Sequence, residues 1–169
     1  MPVKDWETAE SGDLISTMST YYAVGIYSLQ YQGRNWNIRL SSSMITGTIL
    51  QPGEEYNQHQ TIGPFSQSTG YHKAPIMKKD ALWGYGGGTC QVSSTLYNTL
   101  LPLSRSGISI LYRRAHGPSG ATYLPHGVDA AVGSDSLNLV FRNDFDFPVR
   151  IDAHSDGEGI VYIALIKAS

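Results

Sequence analysis

The sequence predicts an α+β domain: mostly antiparallel sheet with about two main helices, one of them starting at the loop that carries Cys90. Three observations lead there. In the last third, Leu137, Leu139 and Phe141, then Val149, Ile151 and Ala153, then Val161, Ile163 and Leu165 alternate with other residues at period two, the pattern of strands with one buried face. After Cys90, Val92, Leu96, Leu100 and Leu103 make one apolar stripe at helical spacing, with Tyr97 and Leu101 beside it. Composition agrees, since 18 glycines and 11 tyrosines against four phenylalanines suit strands and turns better than a helix bundle.

The elements read in order as follows. Residues 1–12 (MPVKDWETAESG) are polar and punctuated, a flexible lead-in to a single domain over 13–169. Leu14 to Leu29, rich in tyrosine and β-branched residues, holds one or two strands. A helix is predicted over Asn35 to Thr46, where Trp36, Leu40 and Met44 recur every four residues and Gly47 is a stop. Ser41 to Ser43 weaken that helix by propensity, or else are small residues packed against a sheet. "TILQPGEEY" reads as a strand, a Pro-Gly turn and a second extended segment. Residues 57–72 read as a long polar loop, and "KAPIMKK" as an edge strand, because its proline lacks a ladder donor. The helix after Cys90 takes Thr89 as its N-cap and ends or kinks at Leu101, before Pro102. "ISILYRRA" is a further strand, and the C-terminal third is an antiparallel meander.

Bulk properties exclude some function classes. With 41% hydrophobic and 15% charged residues over 169 positions, the chain can build one real core. A net charge of −2, with no Lys/Arg run, argues against a nucleic-acid partner. One cysteine allows no internal disulfide and singles out one thiol. No stretch approaches the ~20 apolar residues of a membrane-spanning helix, and no signal peptide opens the chain. Export or anchoring is therefore expected to depend on a segment outside this sequence.

That thiol sits in "GYGGGTCQVSSTLYNTL", between a glycine loop and a helix start. A helix N-terminus presents unsatisfied N–H groups and a partial positive charge, and both favour a thiolate. Glycines let backbone amides approach a substrate and hold an oxyanion. The other reading is a small buried hydrophobe. A nucleophilic cysteine needs a base, and five histidines are available. His116, at the end of a strand, is favoured over His126; His59 and His72 flank the polar loop, and His154 lies at a hairpin turn. Asp129 is the candidate third member, orienting the imidazole, or else a turn residue. A zinc site from Cys90, His116 and His126 is the remaining alternative, although no short ligand pair supports it. No cofactor is otherwise expected.

The stretches "NIRLSSSMITGTILQPGEEYN", "GYHKAPIM", "GGGTCQVSSTLYNTLL", "RRAHGPSGATYLPHGVDAAV" and "LVFRNDFDFPVRI" together resemble the VanW domain family, over most of the chain and in the family's order. The resemblance implies a bacterial envelope protein placed outside the cytoplasmic membrane behind an anchor, and peptidoglycan L,D-transpeptidation through a cysteine acyl-enzyme, with carboxypeptidation as a side reaction. It implies peptidoglycan peptide stems as partners, a donor tetrapeptide and an acceptor amine. Cys90 matches the family's motif cysteine and His116 its motif histidine. Tyr123, Gly127 and Asp129 fall on the later block, and Arg113 and Asn143 on family positions of unclear role. In this reading Gly87, Gly88, Thr89 and Gln91 surround the oxyanion, and Arg113, Tyr123 and Gly127 contact substrate. The chain departs from the family at "EEYNQHQ", more polar than usual, and at Tyr112, where an acidic residue is common. A non-catalytic module that binds stems or a glycopeptide remains the alternative.

Overall fold

A computed structural model describes residues 2–24, 29–78, 81–118 and 120–169. Strand β1 (Leu14–Tyr21) leads to helix α1 (Leu29–Ile45), strands β2 (Thr48–Leu50) and β3 (Glu55–Asn57), and the short helix α2 (Gln58–Ile62). Strands β4 (Lys73–Lys78) and β5 (Ala81–Tyr85) precede helix α3 (Thr89–Leu100). Four strands complete the chain: β6 (Ile108–Arg113), β7 (Leu139–Asn143), β8 (Val149–Ser155) and β9 (Ile160–Lys167). The architecture is α+β, as expected.

The strands form three antiparallel sheets, with orders β1-β9-β8-β2, β3-β7-β6 and β4-β5. The C-terminal strands are therefore not one meander. β8 and β9 form a hairpin that pairs Val149 with Lys167 and Ser155 with Val161, whereas β7 joins β3 and β6 in another sheet. The break falls at Asn143, which is 0% exposed. Its side-chain amide donates to Leu50 O (3.0 Å) and Phe147 O (2.9 Å), and its Oδ1 accepts from Phe145 N (3.1 Å). This role was not legible in the sequence: Asn143 holds the corner where the chain leaves one sheet for the next.

Both main helices lie on the four-stranded sheet. α3 packs on β1 and β9, and α1 packs on β8 and against α3. The predicted α3 stripe is the core face: Val92, Leu96, Leu100 and Leu103 are buried among Ile151, Ile163 and Leu165. Truncating Leu96 to alanine is expected to cost about 2–5 kcal/mol, transfer and cavity together. As expected from Pro102, α3 ends at Leu100, and residues 101–103 form a single tighter turn.

α1 differs from expectation in length and face. It begins at Leu29, and Trp36 is 46% exposed while Ile38, Ser41, Ser42 and Ile45 are buried. Ser41 and Ser42 are buried while Ser43 is exposed, and Ser41 Oγ donates back to Asn37 O (2.7 Å). Residues 57–72 are more ordered than a loop. α2 is capped by Asn57, whose side chain accepts from Gln60 N, and Ser66 and Thr69 close a capping box. Residues 2–12 carry turns and lie against the fold, with Val3 bridged to Leu14, Ala9 buried, and Trp6 beside Phe145 at 5.3 Å.

The Cys90 site and its relatives

The glycine loop before Cys90 is wedged into the protein. A Cβ on Gly87 would come within 2.6 Å of Pro75 O, and one on Gly86 within 2.9 Å of the Phe65 ring. Gly88 is the residue that caps α3, at φ 104°, a left-handed conformation that strains other residues. A Cβ there would also lie 2.9 Å from Cγ and O of Arg34. Thr89, expected as the cap, sits inside the helix, and its hydroxyl donates to Gly86 O (2.8 Å). The glycines therefore serve first to let β5 turn tightly into α3 against α1 and β4. The Thr89 and Gln91 amides are spent on the turn, donating to Gly86 O (3.1 Å) and Gly88 O (3.0 Å). Among the described residues the Cys90 N–H makes no such turn bond.

One row of α3 holds the segment that carries Asp129. Cys90, Ser94 and Asn98 follow at four-residue spacing, on one face of the helix. Cys90 Sγ lies 3.4 Å from Val132 N, which donates to it, and 3.3 Å from Val132 O. Ser94 Oγ accepts from Ala130 N (2.9 Å) and donates to Ala130 O (3.2 Å). Asn98 Nδ2 donates to Val128 O (2.7 Å). The other edge of the segment is held from the end of β6. Ala131 N donates to Arg114 O (2.7 Å), and Arg113 donates to Asp129 O (2.8 Å) and Gly127 O (2.6 Å) while its guanidinium stacks 4.9 Å over Tyr97.

Asp129 is thereby fixed, at 1% exposure. One carboxylate oxygen accepts from both the backbone N–H of His116 (2.8 Å) and the ring Nδ1. Burial pushes the Asp129 carboxyl up, but the two His116 donors outweigh it and hold it below the usual carboxylate range. The His116 ring is raised from 6.5 to about 9. The Cys90 sulfur acting as hydrogen-bond partner is the largest cause; burial opposes it, and Asp129 adds to it. With Nδ1 committed to Asp129, Nε2 is the nitrogen left for the sulfur.

The expected group Cys90, His116 and Asp129 is thus brought together, and His126 stands apart: its Nε2 is bonded to Pro118 O (2.8 Å), out in solvent. The zinc alternative loses its third ligand with it, and among the described residues no three His, Cys, Asp or Glu side chains converge on a point. Tyr123 reaches the site edge, its hydroxyl 3.4 Å from Ser94 Oγ, and burial foremost raises its pKa. Arg113 and Gly127 are engaged with each other as braces of the Asp129 segment. Gln91, at 1% exposure, points away from any oxyanion. Its amide donates to Thr20 Oγ1 (2.9 Å) and Tyr21 O (3.0 Å) and accepts from Arg34 Nη2 (2.5 Å). Arg34 carried no signal in the sequence, because it comes from α1, 56 positions before Cys90.

The family model described as "VanW like protein" matches residues 33–165, a span that includes Arg34, Cys90, His116 and Asp129. The chain belongs to the VanW family. Two relatives place the VanW domain in context. It is 34% identical over 148 residues to the "Uncharacterized protein YoaR" of Bacillus subtilis, covering 87% of this chain and 48% of that protein. It is 25% identical over 142 residues to the "Vancomycin B-type resistance protein VanW" of Enterococcus faecalis, covering 81% of this chain and 50% of that one. The chain therefore spans about half the length of these curated relatives. No solved structure matches it. A cavity of about 390 Å³ in the VanW domain lies away from Cys90, between α1 and β8, lined by Trp36, Arg39, Ser42 and His154.

Proposed function

We propose that the domain is a cysteine acyltransferase acting on peptidoglycan peptide stems, an L,D-transpeptidase outside the cytoplasmic membrane. The observation that carries this reading is Asp129 holding the His116 ring by Nδ1, with Cys90 near enough to be the strongest influence on that ring. A buried carboxylate orients an imidazole beside a thiol, the arrangement nucleophilic catalysis requires. The resistance named for the Enterococcus faecalis relative concerns an antibiotic that acts on the cell wall, which supports the substrate class.

The steps follow from the groups present. With its pKa raised to about 9, the His116 ring is protonated at neutral pH, and the sulfur attacks as the thiolate beside it, forming a bond to the carbonyl carbon of the stem's third residue. The Cys90 N–H, free of the loop's turn bonds, donates to the oxyanion. The C–N bond to the terminal D-alanine breaks, and His116 hands its proton to the departing amine. The amine of a second stem then attacks the thioester. It gives up a proton through His116 to the sulfur as the C–S bond breaks. Water in place of that amine makes the same site a carboxypeptidase.

One observation favours a second reading, a stem-binding module without covalent chemistry. The sulfur occupies the same bonding row as Ser94 and Asn98, so Cys90 also serves as a structural link to Val132. Incubation with a tetrapeptide-stem muropeptide followed by intact-protein mass spectrometry separates the two. An adduct of stem minus D-alanine, absent in Cys90→Ala, is the result expected of the enzyme. Unmodified protein that binds stems equally with and without the sulfur would establish the module instead.

A further inference from the structure

Arg34 is a half-buried cation bonded to the residue that follows the proposed nucleophile, and among the described residues no carboxylate pairs with it. Its stem runs over the glycine loop, against Gly88, and its Nη2 meets Gln91, the residue after Cys90, at 2.5 Å. Gln91 is itself pinned from its other end by Thr20 and Tyr21, so the guanidinium is held in place rather than swinging in solvent. The Tyr22 ring lies 6.0 Å from it. Burial is the main influence on its pKa and pulls it below the usual value, while the Tyr123 and Tyr22 hydroxyls and the Cys90 sulfur push it back up. Among the described residues every ion pair is made by other groups: Lys4–Asp13, His59–Asp135, His116–Asp129, Arg142–Asp144 and Arg150–Asp152. A guanidinium offers five N–H donors in a fork that fits a carboxylate in bidentate fashion. A partly desolvated arginine that lacks a carboxylate is a site in want of an anion.

We propose that Arg34 grips the free α-carboxylate of the residue that is expelled, so that the domain selects peptides cut one residue from a free C-terminus. The inference rests on the reading of Cys90 as the group that attacks a peptide stem. In such a substrate the terminal carboxylate lies three bonds from the carbonyl carbon under attack, so its receptor belongs immediately beside the sulfur. Gln91 then acts as a positioning residue: its carbonyl oxygen aims the fork, and its amide anchors that oxygen to β1. Arg113, expected from the resemblance to contact substrate, is occupied by the backbone of residues 127 and 129.

The experiment compares a tetrapeptide stem ending in D-alanine with the same stem ending in D-alanine amide. Binding to Cys90→Ala is measured by calorimetry, so the result does not depend on turnover. The acid is expected to bind about 10- to 100-fold more tightly than the amide, the range for a charge-assisted hydrogen-bond pair. Arg34→Gln in the same background should abolish that preference and leave amide binding unchanged; Arg34→Lys should restore part of it. Equal binding of acid and amide, no measurable binding of either, or a preference that survives Arg34→Gln would each overturn the assignment. A separate adduct measurement on the native protein distinguishes failure of the acyltransferase reading. An adduct formed at equal rates from acid and amide leaves that reading intact and removes Arg34 from it.

Discussion

Asp129→Asn is expected to lower the pKa of His116 and to remove a pH-dependent part of the folding free energy. The native ring is raised from 6.5 to about 9 by its neighbours. At ~1.4 kcal/mol for each factor of ten in protonation, the whole effect is about 3 kcal/mol. Cys90 is the larger cause and Asp129 the smaller, so Asp129→Asn should remove only part of it. The His116 side chain is only 14% exposed, which limits solvent screening. A folded-state pKa raised above the unfolded one stabilises fully below the unfolded value and is lost as pH rises through the folded value. For His116 that means stabilisation present below 6.5 and lost through about 9. Asp129, held below 3.8, contributes above that value and loses its contribution as pH falls through its folded pKa. The stability gap between native protein and Asp129→Asn should therefore be widest between about pH 4 and 6.5 and narrow toward pH 10. Urea unfolding across that range reads the gap, and the His116 ring titrates directly by NMR. A gap that stays flat from about pH 5 to 10, or a native ring titrating near 6.5, would refute the reasoning.

Cys90→Ser should fold, since a hydroxyl can still bond Val132, with thermal stability within about 1 kcal/mol of native; it should form no acyl adduct, and an adduct on Cys90→Ser would move the nucleophile elsewhere. Gly88→Ala combines a left-handed backbone with a 2.9 Å contact on Arg34, and is expected to lose about 1–3 kcal/mol by denaturant titration. Asn143→Ala leaves the Leu50 and Phe147 carbonyls and the Phe145 N–H without their side-chain partner. A loss of about 2–4 kcal/mol is expected, and Asn143→Asp, whose buried carboxylate would face two carbonyl oxygens, should not rescue it.

Much of the fold was legible because its signals are local. The α3 stripe of Val92, Leu96 and Leu100 and the alternation through β8 and β9 follow from side-chain period alone. The α1 face was misread for a physical reason. Trp36, Leu40 and Met44 are the larger apolar residues, yet Ser41 and Ser42 share the buried side with Ile38 and Ile45. Ile38 and Ile45, seven residues apart, set the buried face, a spacing that the four-residue count from Trp36 passes over. The cap failed similarly: Thr89 is a good N-cap by type, but the turn out of β5 needs a left-handed residue there, and Gly88 supplies it.

The candidate site divides along the same line. By itself the sequence determined that one thiol stands at a glycine loop and helix start, that a histidine ends a strand, and that both lie in VanW family motifs. Only the tertiary structure decided which histidine faces the sulfur, because His116 and His126 are ten residues apart and equally polar. The choice was made by the Cys90–Ser94–Asn98 row pulling residues 128–132 against α3, and by β6 holding their far edge. Those bonds carry Asp129 to His116 and leave His126 in solvent. Arg34 was beyond the sequence altogether. Its neighbour Gln91 is distant in the chain, and what marks it is the lack of a carboxylate partner in a half-buried place, a property that exists only after the chain has folded.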